Sequence, residues 1–102
     1  MLTASVKDRL GASLRPVTSQ EAKNYGLSLQ EGLTINWLDP KGPLGEAGFE
    51  RGDILLEVQG RVIAGMDGFV NLVSALPPGQ KVVLLAIDHK TGQAGYVQVQ
   101  IR

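Results

Sequence analysis

The stretch AGFERGDIL, residues 47–55, decides the fold of this 102-residue chain. Gly48 is placed to end a short helix for which Pro43 is the favoured first residue. The tripeptide RGD at 51–53 spells a cell-adhesion motif. It comes directly before an apolar run, so we interpret it as the turn that leads into a strand at residues 53–58.

Alternation between apolar and polar residues predicts the neighbouring strands. Leu10, Ala12 and Leu14 alternate with glycine, serine and arginine in a strand that ends at Pro16. Residues 33–36 and 96–101 alternate in the same way. The unbroken apolar run at 82–87 predicts a fully buried strand, followed by a hairpin loop at 88–92.

Two further helices have recognisable ends. Thr18 and Glu21 form a capping box, and Gly26 is placed to end that helix. The strongest helix begins at the cap Asp67 and is broken by PPG at 77–79. One apolar face of this helix carries Phe69, Leu72, Val73 and Leu76. Together these strands and helices predict one compact α+β domain.

Composition excludes several classes of function. Ten basic and ten acidic residues cancel, which disfavours a nucleic-acid partner. The absence of cysteine excludes disulfides and thiolate metal sites. The longest apolar run is far below the roughly 20 residues of a membrane helix, so we expect no direct membrane insertion. Residues 1–8 contain no apolar stretch of signal-peptide length and are interpreted as a linker or the cut edge of a longer chain.

Catalytic machinery is not expected. His89 is the only histidine and is predicted to lie exposed in the hairpin loop. No serine lies between glycines on a tight turn. A zinc site needs three or four ligands, which one histidine without cysteine does not provide. We therefore predict a non-catalytic domain with no metal and no cofactor.

Two features point to binding. The first is RLGA at 9–12, where a glycine lets successive N–H groups face one concavity, a nest that binds an anion such as a peptide carboxylate. Lys7 or Arg9 would supply positive charge, although an ordinary turn has the same pattern. The second is Val70, which is rotated away from the apolar helix face. Val70 either lines a groove against the strand at 10–15 or is a singly exposed valine.

From Arg9 onward the chain resembles the PDZ domains of the bacterial HtrA/Deg (DegP/DegQ-like) serine proteases. The resemblance is carried by LGASLRPVT at 10–18, EAK at 21–23, GLTI at 32–35, DP at 39–40, AGF at 47–49, RGDIL at 51–55, QGRVI at 59–63 and PG at 78–79. It implies a PDZ domain over 9–102. It further implies a partly open five- to six-stranded antiparallel β-barrel or sandwich capped by two or three helices.

The resemblance also implies a site. The loop at 9–12 would hold a ligand carboxylate through backbone amides, and the strand at 12–15 would pair with the ligand against the helix at 67–76. The implied peptide-binding residues are Arg9, Leu10, Gly11, Ala12, Ser13, Leu14, Val70, Val73 and Ser74. The implied partners are C-terminal or extended peptides with apolar end residues and the protease domain of a parent chain, in the periplasm or cell envelope.

Three residues depart from the family pattern. Gly42 stands where a capping serine is common, which predicts a weaker cap. Ala12 replaces a larger aliphatic residue, which predicts a deep pocket that tolerates terminal Leu, Met or Phe. Trp37 stands where a small polar residue is usual. We expect Trp37 in the core unless Leu38 takes that position, in which case Trp37 would face an upstream ligand residue.

The predicted function is capture of polypeptide segments that tethers substrate to, or regulates, an HtrA-type serine protease domain absent from this chain. Two alternatives remain: a structural docking or oligomerisation module, and the PDZ domain of a membrane metalloprotease.

Overall fold

The computed structural model describes residues 2–28 and 31–102, with side chains from Val6 onward. The elements run in the order α1 (Leu2–Leu10), β1 (Ala12–Pro16), α2 (Ser19–Tyr25), β2 (Leu33–Leu38), α3 (Pro43–Glu46), β3 (Ile54–Val58), β4 (Arg61–Val62), α4 (Met66–Ser74), β5 (Lys81–Ile87) and β6 (Ala94–Gln100). None of the helices in these ranges is long and apolar enough to cross a membrane.

The strands form one antiparallel sheet in the order β1-β2-β3-β5-β6, and β4 pairs with β3 beside this path. Bulges interrupt the register between Ser13 and Leu14 and between Leu55 and Glu57, and bulges bend a sheet. The predicted α+β architecture, with an antiparallel sheet of five to six strands capped by helices, is confirmed.

The main core lies between the sheet and the helices. It includes Phe69 of α4, Leu33 and Ile35 of β2, and Leu10 of α1, all almost fully buried. A smaller cluster of Val17, Ala22, Ile54 and Ile87 holds α2 to the sheet. The strand at 82–87, predicted to be fully buried, is buried only in part: Val83 is exposed and Leu85 is half-buried, whereas Val82, Leu84, Ala86 and Ile87 are buried.

The ends of α2 agree with the sequence prediction, whereas the starts of α4 and β1 differ from it. The capping box of Thr18 and Glu21 and the end of α2 at Gly26 are confirmed. Helix α4 begins at Met66 with Gly65 as its cap, so the prediction of Asp67 as the cap is wrong by two residues. The first strand begins at Ala12 rather than Leu10, because Leu10 is the last residue of α1.

Helix α1 was not predicted from the sequence. Val6 and Leu10 are four residues apart, lie on one helix face and are buried in the main core. The structure thus places most of residues 1–8, interpreted above as a linker or cut edge, in a helix that packs on the domain; Met1 lies outside the described residues.

Candidate functional site

Strand β1 is an edge of the sheet. Among the described strands it pairs only with β2, so its other side presents unpaired backbone N–H and C=O groups. The bulge at Ser13 and Leu14 adds local twist to this edge. An edge strand of this kind is a template on which another extended segment can pair.

A groove runs beside β1. A cavity of about 170 Å³ is lined by Ala12, Ser13 and Leu14 on one side and by Met66 and Val6 on the other. A second cavity, of about 310 Å³, continues past Pro16 to Met66 and Asp67. Met66 lines both cavities, so together they follow β1 along the start of α4.

Helix α4 supplies the apolar residues behind the groove. Val70 and Val73 are both buried in the same cluster as Ala12 and Val6, whereas Ser74 is exposed. Val70 is therefore neither singly exposed nor turned away from the core. Phe69 and Val70 are adjacent and both buried. The buried face of α4 is therefore wider than the apolar face that the sequence pattern predicts.

The segment predicted to form the carboxylate nest is held within the chain. The Gly11 N–H donates to the Lys7 carbonyl oxygen at 2.8 Å, which caps α1, and Gly11 has a left-handed φ of 68°. The Arg9 guanidinium donates to the carbonyl oxygens of Val73, Leu76 and Arg102. In this arrangement the Gly11 N–H and N–H donors of the Arg9 guanidinium are already bonded within the domain.

Trp37 lies on the outer face of β2, opposite Ser13 of β1. Its side chain is 43% exposed, so the expectation of a core tryptophan is wrong; Leu38 is the neighbour that packs against the core. The Lys7 ammonium lies 4.5 Å from the Trp37 ring centroid, a cation–π distance. Lys7 of α1 therefore reaches across β1 to β2.

The end of β1 at Pro16 is fixed by Glu21 of α2. Its carboxylate accepts hydrogen bonds from the Arg15 guanidinium, the Thr18 N–H and the Thr34 hydroxyl. The Arg15 guanidinium, chiefly through its hydrogen bonds, lowers the pKa of Glu21 to about 2, with smaller lowering contributions from Thr18 and Thr34; partial burial opposes the shift. This network fixes β1 to α2 at the end of the groove where its larger cavity lies.

Far from the groove, Asp53 joins the turn before β3 to the hairpin loop. It is buried, and its carboxylate accepts from the N–H groups of Glu50 and His89. His89 Nδ1 lies 2.7 Å from the same carboxylate, so His89 is a half-buried turn residue, not the exposed histidine that was predicted. One possible ligand atom from each of Asp53, Asp88 and His89 lies within 4.8 Å of the others. Because the Asp53 oxygens already bind backbone amides, we assign this group a structural role.

Sequence reasoning missed two residues of the groove, Val6 and Met66. The sequence pattern predicts Asp67 as the helix cap, which leaves Met66 outside the predicted helix. The interpretation of residues 1–8 as a linker or cut edge leaves Val6 outside the predicted domain. The four-residue spacing of Val6 and Leu10 was the available signal.

An unpaired strand edge beside an apolar helix is typical of one class of domain. Domains of this class have a groove between the strand and the helix in which an extended segment can be added to the sheet. The PDZ domain family matches the chain over residues 9–99. The chain belongs to the PDZ domain family.

Relatives and solved structures agree with this assignment. The chain is 33% identical over 75 residues, 74% of its length, to a probable periplasmic serine endoprotease DegP-like of Halomonas elongata. It spans only 16% of that relative's length. The resemblance to HtrA/Deg proteases is thereby confirmed.

Two solved structures share the fold. The HtrA-type protease AlgW with tripeptide superposes with a TM-score of 0.77 at 23% identity, covering 90% of this chain and 30% of that chain. The HtrA3 PDZ domain bound to a phage-derived ligand, FGRWV, has a TM-score of 0.71 at 17% identity, covering 91% of this chain and 83% of that chain.

Proposed function

We propose that this PDZ domain binds extended or C-terminal polypeptide segments with apolar end residues by adding them to β1. The observation that carries the proposal is the unpaired edge of β1 beside the cavity formed with Met66. Main-chain hydrogen bonds to β1 supply affinity without sequence preference, and the apolar groove selects side chains. The ligands in the AlgW and HtrA3 structures are peptides, which supports the same use here.

We further propose that the domain tethers substrate to, or regulates, an HtrA-type serine protease domain in the periplasm or cell envelope. This part rests on the DegP-like relatives, of which the chain spans about one sixth. The residues proposed to contact the peptide remain Leu10, Gly11, Ala12, Ser13, Leu14, Val70, Val73 and Ser74. Arg9, whose guanidinium donates to carbonyl oxygens of α4, is proposed to act on the site by holding α1 in place. Binding should be weak and reversible: one apolar side chain and a few net hydrogen bonds, less association costs, give a Kd on the order of micromolar.

Calorimetric titration with N-acetylated hexapeptides ending in Leu, Met or Phe tests the proposal. Each peptide is used as the free acid and as the C-terminal amide. We expect about micromolar affinity for the acids and at least tenfold weaker binding of the amides. Equal binding of the amides would point to internal segments.

Two matched variants locate the site. Leu14→Ala removes a half-buried apolar residue from the groove wall, and Val83→Ala removes an exposed one from β5. We expect Leu14→Ala to weaken binding about three- to tenfold and Val83→Ala to leave it unchanged. Absence of binding to every peptide together with self-association would contradict the proposal and favour a docking module.

A further inference from the structure

Helix α1 occupies one end of the groove in which the ligand is proposed to lie. Val6 of α1 lines the same cavity as Ala12, Ser13 and Leu14, and is buried in the cluster that contains Val70 and Val73. Arg9 attaches the end of α1 to the last carbonyls of α4. Part of the groove beside Ala12 is therefore already covered by a segment of the same chain, which contacts both β1 and α4.

The position of α1 follows from its own contacts. Arg9 lies at the C-terminal end of α4, beside Val73 and Leu76, whereas Val6, one turn earlier, lines a cavity with Met66 at the start of α4. The helix thus runs along α4 in the groove direction, antiparallel to β1. Lys7 covers the Trp37 ring from the same helix. Most of α1 precedes the family match at residues 9–99.

We propose that α1 is an intramolecular occupant of the groove that a ligand's terminal residue must displace. The proposal rests on the function proposed above and concerns its regulation. The open cavity beside Pro16 takes the upstream part of the ligand first, and its terminal residue then replaces Val6.

The same displacement forms the carboxylate nest. While α1 is helical, the Gly11 N–H is bonded to the Lys7 carbonyl. Unwinding the last turn of α1 releases this amide at the position where the nest was predicted. The movement of α1 that removes Val6 from the groove therefore also frees the Gly11 amide to bind the ligand carboxylate.

Competition of this kind weakens the apparent affinity. A ligand that binds only molecules in which α1 is displaced has an apparent Kd equal to its intrinsic Kd divided by the fraction of such molecules. Changes that weaken the contacts of α1 should therefore tighten ligand binding. A charged side chain that contacts the ligand carboxylate directly would have the opposite effect when removed.

The test compares Val6→Ala, Arg9→Met and Asp8→Asn. Val6→Ala reduces the apolar side chain that α1 places in the groove, and Arg9→Met removes the hydrogen bonds from α1 to α4. Asp8 is exposed on the same helix, so Asp8→Asn serves as the control. We expect Val6→Ala and Arg9→Met to bind the Leu-ended acid peptide three- to tenfold more tightly, and Asp8→Asn to match the parent chain. If Val6→Ala does not fold, Arg9→Met alone decides, because weaker binding by that variant would overturn the proposal.

Two readouts follow α1 directly. Hydrogen exchange of the Gly11 amide should accelerate in both variants without peptide, because its bond to the Lys7 carbonyl is then broken more often. Fluorescence of Trp37, the only tryptophan, should change on binding of a tryptophan-free peptide as Lys7 leaves the ring. Peptide binding that leaves the Trp37 fluorescence unchanged, together with unchanged affinity of the variants, would overturn the displacement while the proposed function stands. If no variant binds any peptide even though Gly11 exchanges rapidly, both fail.

Discussion

The backbones of Gly11 and Gly42 pack so closely that neither position has room for a side chain. A Cβ placed on Gly11 would lie 2.8 Å from the Cα of Gly42, and a Cβ on Gly42 would lie 2.9 Å from the Cα of Gly11. The contact joins the end of α1 to the start of α3. It accounts for the absence of a capping serine at Gly42, because the space for that side chain is taken by Gly11.

Two glycine substitutions, one at this contact and one in α4, should have opposite effects on stability. Gly42→Ala should lower the free energy of unfolding by about 1–3 kcal/mol, because backbone must move to admit the methyl group. Gly68→Ala should raise it by about 0.5–1 kcal/mol, since Gly68 lies within α4 with open space around its Cα. Urea denaturation measures both, and a stabilised Gly42→Ala variant would contradict the close approach.

Asp53 should be a main support of the hairpin loop. Asp53→Ala leaves the N–H groups of Glu50 and His89 without their acceptor, and an unsatisfied buried donor costs about 1–3 kcal/mol. We expect thermal unfolding at a lower temperature, with peptide affinity at the distant groove unchanged. Asp67→Ala, an exposed control, should change stability by less than about 0.5 kcal/mol.

Glu21 should contribute an acid-sensitive part of the stability. Its folded pKa of about 2 lies below the unfolded value of about 4.3. The contribution is therefore complete above pH 4.3 and is lost as the pH falls towards 2. At neutral pH we expect Glu21→Gln to cost about 1 kcal/mol, a value reduced by solvent screening at this partly exposed pair.

Unfolding measured in urea at several pH values tests this account of Glu21. The difference in stability between the parent chain and Glu21→Gln should shrink as the pH falls from 4.3 to 2. Arg15→Gln removes the main cause of the shift and should reproduce part of the same loss. A difference that is constant over this pH range would show that Glu21 acts only as a neutral hydrogen-bond acceptor.

Ala12 should set the size of the ligand residue that the groove accepts. Its side chain is a single methyl group in the cavity wall, and Ala12→Ile adds three carbon atoms there. We expect Ala12→Ile to weaken binding of Phe- and Met-ended peptides about tenfold and of Val-ended peptides much less. Unchanged preference among these peptides would exclude Ala12 as the determinant.

The order and type of most elements followed from local sequence patterns. Alternation identified β2 and β6, and the capping box of Thr18 and Glu21 identified α2, because both signals arise within a few residues. The strand β4 was missed because two residues carry no periodicity.

The site was less accessible to sequence reasoning. Three of the residues predicted for the site, Ala12, Ser13 and Leu14, line the smaller cavity beside β1. The packing of α1 on the domain was not predicted, because the burial of Val6 depends on tertiary contacts of α1 with α4, β1 and α3. Trp37 was misplaced because sequence alone does not decide which of two adjacent large residues, Trp37 or Leu38, faces the core.

The central claim is that an extended ligand pairs with the free edge of β1. The most direct measurement is a set of intermolecular nuclear Overhauser effects between the labelled domain and an unlabelled Leu-ended peptide. We expect backbone contacts from the peptide to Ser13 and Leu14, and methyl contacts from its last residue to Val70 and Val73. Contacts confined to β6, the opposite edge of the sheet, would contradict the account.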